Sequence, residues 1–165
     1  MNLTIFIDSR EKARAIKRII DEFDKEGVVY CTNKLYVGDY MSLDNPRLII
    51  DRKQNLNEMC ANVCQDHERF RNELIRAQQM GIRLIILIEH SNQIKSIDDV
   101  AKWVNPRLYK RVYDRETHQW KTVRTKAMTG ETLSKIMRTM ERKYGCEFQF
   151  CDKLHTGKRI IELLS

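Results

Sequence analysis

The 165-residue chain contains little that would divide it or tether it to a membrane. Its two prolines and six glycines are scattered. No Pro-, Gly- or Ser-rich linker, repeat or low-complexity tract interrupts it, so the sequence reads as a single domain. No apolar run approaches the roughly 20 residues of a bilayer span. The opening Met-Asn-Leu-Thr-Ile-Phe-Ile-Asp has no basic n-region and no small-residue cleavage site, which argues against secretion. The five cysteines, Cys31, Cys60, Cys64, Cys146 and Cys151, are odd in number and form no C-x-x-C pair. Cys60 and Cys64 stand one helical turn apart with His67 three residues on, but packing outweighs metal ligation there. Reduced thiols in a cytoplasm are the expectation.

What is present is core material and positive charge. Hydrophobic residues make up 42% and charged residues 32%, enough for one real core. Lys plus Arg number 30 against 23 for Asp plus Glu, a net charge of +7. That balance suits a polyanion partner, most simply nucleic acid, although a merely basic surface gives the same count.

Periodicity alternates between strand and helix. Strands are predicted over residues 3–8, 28–32, 35–43, 48–51, 83–89 and 147–151. Helices are predicted over 11–26, 55–65, 67–80, 96–104, 131–144 and 155–164. Gly27 and Gly81 read as helix stops, and Ser96 with Asp99 as a capping box. Leu-Ile-Ile-Leu-Ile at 84–88 suits a central strand covered on both faces. The class is α/β, a mixed sheet with helices on both sides. Met128, Met137 and Met140 fall among Leu133 and Ile136 and read as core.

Residues 105–126 break the alternation. They hold seven Lys or Arg and two acidic residues. Alternation on both sides of Asp114–Thr117 predicts a β-hairpin, a basic arm projecting from the core. Arg107, Lys110, Arg111, Lys121, Arg124 and Lys126 are its candidate phosphate contacts. Tyr109, Tyr113 and Trp120 could stack on exposed bases. The alternative is a solvated hairpin whose aromatics pack on the body or on a second subunit.

Chemistry collects at strand ends. Asp8 closes the first strand, Gly38-Asp39-Tyr40 lies in the third, and Asp51-Arg52-Lys53 closes the fourth. Glu22 or Glu26 on the first helix could face the same rim. Side chains two apart on a strand share a face, with Cα atoms about 6.6 Å apart. Asp51 and Lys53 therefore project together, and Arg52 points the other way. If the strand of Asp39 lies alongside, two carboxylates and one ammonium converge. Mg²⁺ takes hard oxygen ligands, often one or two carboxylates plus waters and a substrate phosphate. It activates water and neutralises phosphate charge, while a lysine can orient or deprotonate that water and add positive charge for the transition state. On spacing alone, however, charged strand ends are commonly just solvated. His90, just past a strand end, could approach a phosphate, but a solvated loop histidine is the plainer reading.

The stretch from Ile5 to His90 resembles the nuclease domain of the XPF family of structure-specific endonucleases, within the PD-(D/E)xK superfamily. Ile7-Asp8-Ser9-Arg10-Glu11 matches a strand ending in Asp-x-Arg-Glu. Gly38-Asp39-Tyr40 matches Gly-Asp-Tyr, and Asp51-Arg52-Lys53-Gln54-Asn55-Leu56-Asn57 is similar to Glu-Arg-Lys-x-x-x-Asp. Asp66-His67-Glu68-Arg69-Phe70-Arg71-Asn72-Glu73 resembles a later Asp-x-Arg-Phe-x-x-Gln element, and Leu84 to Glu89 a strand with terminal Glu. The resemblance implies a restriction-endonuclease-like mixed central sheet flanked by helices, here with the basic β-hairpin arm.

It also implies Mg²⁺ (or Mn²⁺) held by Asp8, Asp39 and Asp51, and a catalytic Lys53. Arg10 and Arg52 would support or contact the site, and Arg69 would join the DNA-binding cations. The activity implied is metal-dependent endonucleolytic hydrolysis of branched or structured DNA (fork, flap or junction), by a homodimer. Three positions depart from the family pattern. Asp51 replaces Glu, Asn57 replaces the last Asp, and Glu73 stands where Gln is usual. Nothing after residue 90 resembles the helix-hairpin-helix module that often follows, which would suit a compact phage, mobile-element or microbial protein. The competing expectation is an inactive DNA-binding module paired with an active nuclease, toward which Asn57 leans. A single-strand or RNA-binding protein would leave the strand-end acids without a role.

Overall fold

A computed structural model describes residues 3–165. Met1 and Asn2, the first two residues of the N-terminal segment discussed above, lie outside the described residues. Six strands form one mixed sheet: β1 (Thr4–Asp8), β2 (Val29–Asn33), β3 (Tyr40–Ser42), β4 (Leu48–Lys53), β5 (Arg83–His90) and, late in the chain, a strand over Glu147–Asp152. The hairpin strands are β6 (Tyr109–Asp114) and β7 (Gln119–Arg124), which makes the late strand β8. The sheet order is β2-β1-β3-β4-β5-β8. β1 runs parallel to β2, β3 is antiparallel to both β1 and β4, and β4, β5 and β8 are mutually parallel.

Helices cover both faces, as the unbroken apolar run of β5 requires. On one face α2 (Leu56–Cys64), α3 (His67–Gln79), α4 (Ile97–Lys102) and α5 (Gly130–Tyr144) bury Met59, Phe70, Leu74, Val100, Leu133 and Met137 against Ile49, Ile86 and Ile88. On the other, α1 (Lys17–Lys25) and α6 (Thr156–Leu164) bury Ile19, Phe23, Ile160 and Leu164 against Ile5, Ile7, Ile50 and Leu87. The central strands β4 and β5 are therefore closed on both sides. That rigid centre carries the acidic strand ends.

Two elements are shorter than the sequence predicts, for one reason. The first helix begins at Lys17, not residue 11. Residues 9–16 turn instead, because Glu11 N donates to Asp8 O (3.0 Å) and Arg10 N to the Asp8 carboxylate (3.3 Å). The third strand pairs only over Tyr40–Ser42. Before it, Gly38 takes φ +66°, a left-handed value that ends regular pairing. In both places a motif residue draws the backbone away from regular structure. The hairpin forms where predicted, as a separate two-stranded sheet.

Candidate active site

β4 carries the centre of the site, and each of its six residues is buried. Asp51 and Lys53 point to the α2/α3 face, where Ile49 also packs, and Arg52 points to the α1/α6 face. β3 brings Asp39 alongside. The register pairs Tyr40 with Ile50, and one step further sets Asp39 opposite Asp51. Asp39 also ties the sheet together. Its N–H donates to Ile50 O (2.8 Å), its C=O accepts from Asp8 N (2.8 Å), and its Oδ2 accepts from Arg52 N (2.7 Å).

Gly38 explains the Gly-Asp order. A Cβ there would meet Ile49 Cγ2 at 2.5 Å and Ile50 O at 2.9 Å, and φ is positive. Only glycine lets the chain pass this close to β4. Its N–H donates to Glu73 Oε1 (2.9 Å), which draws α3 over the site.

The resulting cavity holds about 380 Å³. Asp8, Arg10, Asp39, Asp51, Arg52, Lys53, Arg69, Phe70 and Glu73 all line it. Every catalytic and metal-site residue expected from the sequence is thus in one place, and of the expected DNA-binding cations Arg69 is there too. The arm cations lie elsewhere, on and beside the hairpin. Glu22 and Glu26 stay away from the cavity. Glu22 packs where Gly157 of α6 meets α1, and Glu26 is exposed. His90 packs edge-on against Trp103 (5.8 Å between ring centroids), with its Nδ1 facing Leu56 N (3.5 Å). Burial, then Lys153, lowers its pKa, so it is neutral and structural. Cys60 packs on the core, and burial pushes its thiol up to about 11.

The charges are arranged in two layers. Facing the cavity, Lys53 Nζ lies 3.0 Å from Asp51 Oδ2 and 4.9 Å from the centroid of the Phe70 ring. Apart from that ion pair, Asp51 Oδ2 is buried and receives no hydrogen bond. Burial alone would lower the Lys53 pKa. The Asp51 carboxylate outweighs it and holds the ammonium above its usual value. Burial, reinforced by Asp51 and Glu11, raises Asp39 well above the ordinary carboxyl range. Glu73 is raised in the same way, by burial and then Asp51.

Behind the strand, Arg52 is enclosed. Its Nε and Nη2 donate to Glu11 Oε2 (3.0 and 2.8 Å), and its Nη1 donates to Glu89 Oε1 (3.1 Å). Tyr40 Oη donates to the same Glu11 oxygen (3.0 Å). Asp8 is held differently again. Its Oδ1 accepts from Leu35 N (2.9 Å), and its Oδ2 accepts from Arg10 Nε (2.6 Å). Burial would raise the Asp8 pKa, but the hydrogen bonds from Arg10 and Leu35 N and the Arg10 charge together more than offset it, and the pKa is lowered.

Two residues have functions that the sequence motifs containing them do not assign. Glu11 anchors Arg52 and Tyr40, and Glu73 faces Asp51 and Lys53. The sequence signal for Glu73 is its helical spacing from the buried Phe70, Leu74 and Ala77 of α3. Asn57, at the family's last Asp position, does not line the cavity. Its missing charge is therefore outside the converging set.

The donor set fits a hard divalent cation. Among the described residues no three His, Cys, Asp or Glu side chains already close on one point. Mg²⁺ does not need them to, since one or two carboxylates suffice when a phosphate completes the shell. Two like-charged carboxyls placed side by side, one raised in pKa, and the orphaned Asn62 Oδ1 in the same cavity wall are what a cation would satisfy.

The fold has counterparts among known proteins. The sequence matches the family profile of the ERCC4 domain over residues 7–164. No curated protein sequence matches it. Among solved structures, XPF from Aeropyrum pernix superposes with a TM-score of 0.63 at 18% identity, covering 98% of this chain and 63% of that one. XPF from the same organism in complex with DNA superposes with a TM-score of 0.63 at 17% identity, covering 99% and 64%. The chain thus spans under two thirds of that protein's length, and the match extends to the six-stranded sheet and its helices.

Proposed function

This chain belongs to the ERCC4 domain family, and we propose that it is a divalent-metal-dependent endonuclease that cuts branched or structured DNA. Core, arm and the C-terminal helix–strand–helix work as one nuclease domain in this reading, and two copies form the active homodimer. The observation that carries it is the convergence of Asp39, Asp51 and Lys53 in one cavity.

Asp39 and Asp51 would hold Mg²⁺ or Mn²⁺, with Asp8 beside them on the rim. The cation, when bound, supplies charge neutralisation at the scissile phosphate and a more acidic attacking water. Without metal, the neighbouring carboxylates favour the ammonium form of Lys53. It steadies negative charge growing on the phosphate oxygens and orients the water. Phe70 and the Asp51 carboxylate fix its ammonium in place. Arg52, locked between Glu11 and Glu89, keeps β4 in register so that its neighbours on either side face the cavity. Arg10, Arg69 and the arm cations then track phosphates.

The inactive-module reading leaves a costly buried carboxyl pair without a purpose. Purified protein incubated with a labelled fork and a four-way junction, in Mg²⁺ or in chelator, separates the two. The expected result is strand cleavage only with metal, lost in Lys53→Ala and Asp39→Ala. Cleavage that persists in both variants overturns the proposal, as does native protein that binds the fork and never cuts it. Sedimentation of the native chain reads the homodimer directly.

A further inference from the structure

β6 and β7 pair Tyr109 with Arg124, Arg111 with Thr122 and Tyr113 with Trp120. Strand alternation sets these six side chains on one face of the hairpin, and all six are exposed. On the opposite face Val112, Asp114 and Val123 are half-buried. Lys110, Gln119 and Lys121 on that opposite face are exposed too, so the aromatic face is the more open of the two. Trp120 is 60% exposed and Tyr109 52%.

The local geometry has a further feature. The Tyr113 and Trp120 rings meet at 5.4 Å and 61°, a cross-strand pair that supports the hairpin itself. The Arg111 guanidinium lies over the Trp120 ring, 5.7 Å from its centroid. Arg111 over Trp120 and Arg124 across from Tyr109 set two cations among the rings of this face. Rings open to solvent with guanidinium groups among them match a nucleobase and its phosphate. Paired bases offer only their edges, whereas unpaired bases offer π-faces.

The root is fixed near the cavity. Buried Asn105 donates from Nδ2 to Met128 O (2.8 Å) and accepts at Oδ1 from Arg107 N (3.0 Å), while Thr125 N donates to Leu108 O (2.7 Å). These bonds clamp the two ends of the hairpin. Trp103 and Met128, on either side of the root, pack on the core to which α2 contributes Leu56 and Met59. α2 also supplies Glu58, Ala61 and Asn62 to the cavity wall.

We infer that the Tyr109–Tyr113–Trp120 face, with Arg111 and Arg124, is a stacking platform for two or three unpaired nucleotides of a DNA strand leaving the cleavage site. Tyr109 and Tyr113 stand about 13 Å apart along β6, a span of that size. That this strand is part of the substrate rests on the nuclease reading; the binding itself does not.

The test therefore measures binding in chelator, where no cutting occurs. Labelled oligo-dT and a blunt duplex of equal length are titrated against native protein, Trp120→Val and Trp120→Phe over a salt series. Valine keeps strand propensity and removes the π-face. The expected result is oligo-dT binding roughly five- to a hundredfold weaker in Trp120→Val, restored in Trp120→Phe, with duplex affinity and salt slope unchanged. Equal oligo-dT affinity in all three proteins overturns the inference. So does a Trp120→Val protein that sediments at half the native mass, which would make the face a contact between copies. Loss of cleavage in Lys53→Ala with oligo-dT binding intact separates the platform from the catalytic claim.

Discussion

The cavity at the end of β4 and the hairpin at 109–124 use the same residue types to opposite ends. Both set a lysine 3.0 Å from an aspartate, Lys53 on Asp51 and Lys121 on Asp114. Both set a cation against an aromatic ring, Lys53 on Phe70 and Arg111 on Trp120. Burial is what differs. In the cavity both partners of the ion pair are enclosed, whereas Lys121 is open to water. Charges withdrawn from solvent keep a fixed geometry and perturb one another's protonation. Charges in solvent are screened and interchangeable, so they confer affinity without precise placement. Chemistry belongs to the first kind of site and grip to the second.

The sharpest break in that contrast is catalytic. Lys53→Ala should lower the cleavage rate about 10²–10³-fold, while Lys110→Gln with Lys121→Gln changes the rate at saturating DNA little. Single-turnover kinetics decides. If the hairpin pair loses as much rate as Lys53→Ala, the division of labour is wrong.

Stability comes next. Arg52→Ala leaves Glu11 and Glu89 facing each other in the interior and should cost about 3–5 kcal/mol in urea unfolding. Neutralising the whole network at once, through Glu11→Gln, Arg52→Met and Glu89→Gln together, should cost less than the single change. A single variant as stable as native would show that the network is not enclosed.

Arm cations are read by salt. Changing Arg107, Lys110, Arg124 and Lys126 to Gln should flatten the plot of log affinity against log salt by about 0.9 for each phosphate no longer neutralised. An unchanged slope would take the arm off the DNA.

Asp39 tests the electrostatics of the cavity through pH. Its folded pKa is raised, so the folded state holds a proton that the unfolded chain releases at about 3.9. Without metal, stability therefore falls as pH climbs from that value through the folded pKa. Asp39→Asn removes this loss and should melt higher than native at neutral pH in chelator, although it cannot cut. Parallel melting profiles for the two proteins from pH 4 to 8 would contradict it. The smallest effect is at Lys121. Lys121→Ala should leave the melting temperature within error of native, since the lysine is open to water.

Much of this contrast is legible in the sequence. The apolar run 84–88 announces a strand covered on both faces, and the i, i+2 spacing of Asp51 and Lys53 announces their shared direction. The hairpin follows from alternation around 114–117. Less legible are the residues that hold others in place. Glu11 falls in a predicted helix because Ala15, Ile16 and Ile19 repeat at helical spacing, yet its carboxylate is drawn to Arg52, far away in sequence. Glu73 is only a departure from a family pattern until the fold brings Gly38 to donate to it. Such pairings depend on tertiary approach, which no local period encodes. That Tyr109, Tyr113 and Trp120 share the more exposed face is likewise undecidable from alternation, since either face of a hairpin can be the more open one.

The central claim is that Asp39 and Asp51 jointly hold one divalent cation. Titrating Mn²⁺ into DNA-free protein, with free Mn²⁺ followed by electron paramagnetic resonance, reads it without any cleavage assay. The predicted result is one bound ion per native chain and none in Asp39→Asn or Asp51→Asn, with Lys121→Ala binding as native does. Equal uptake by native protein and by both carboxamide variants would contradict it.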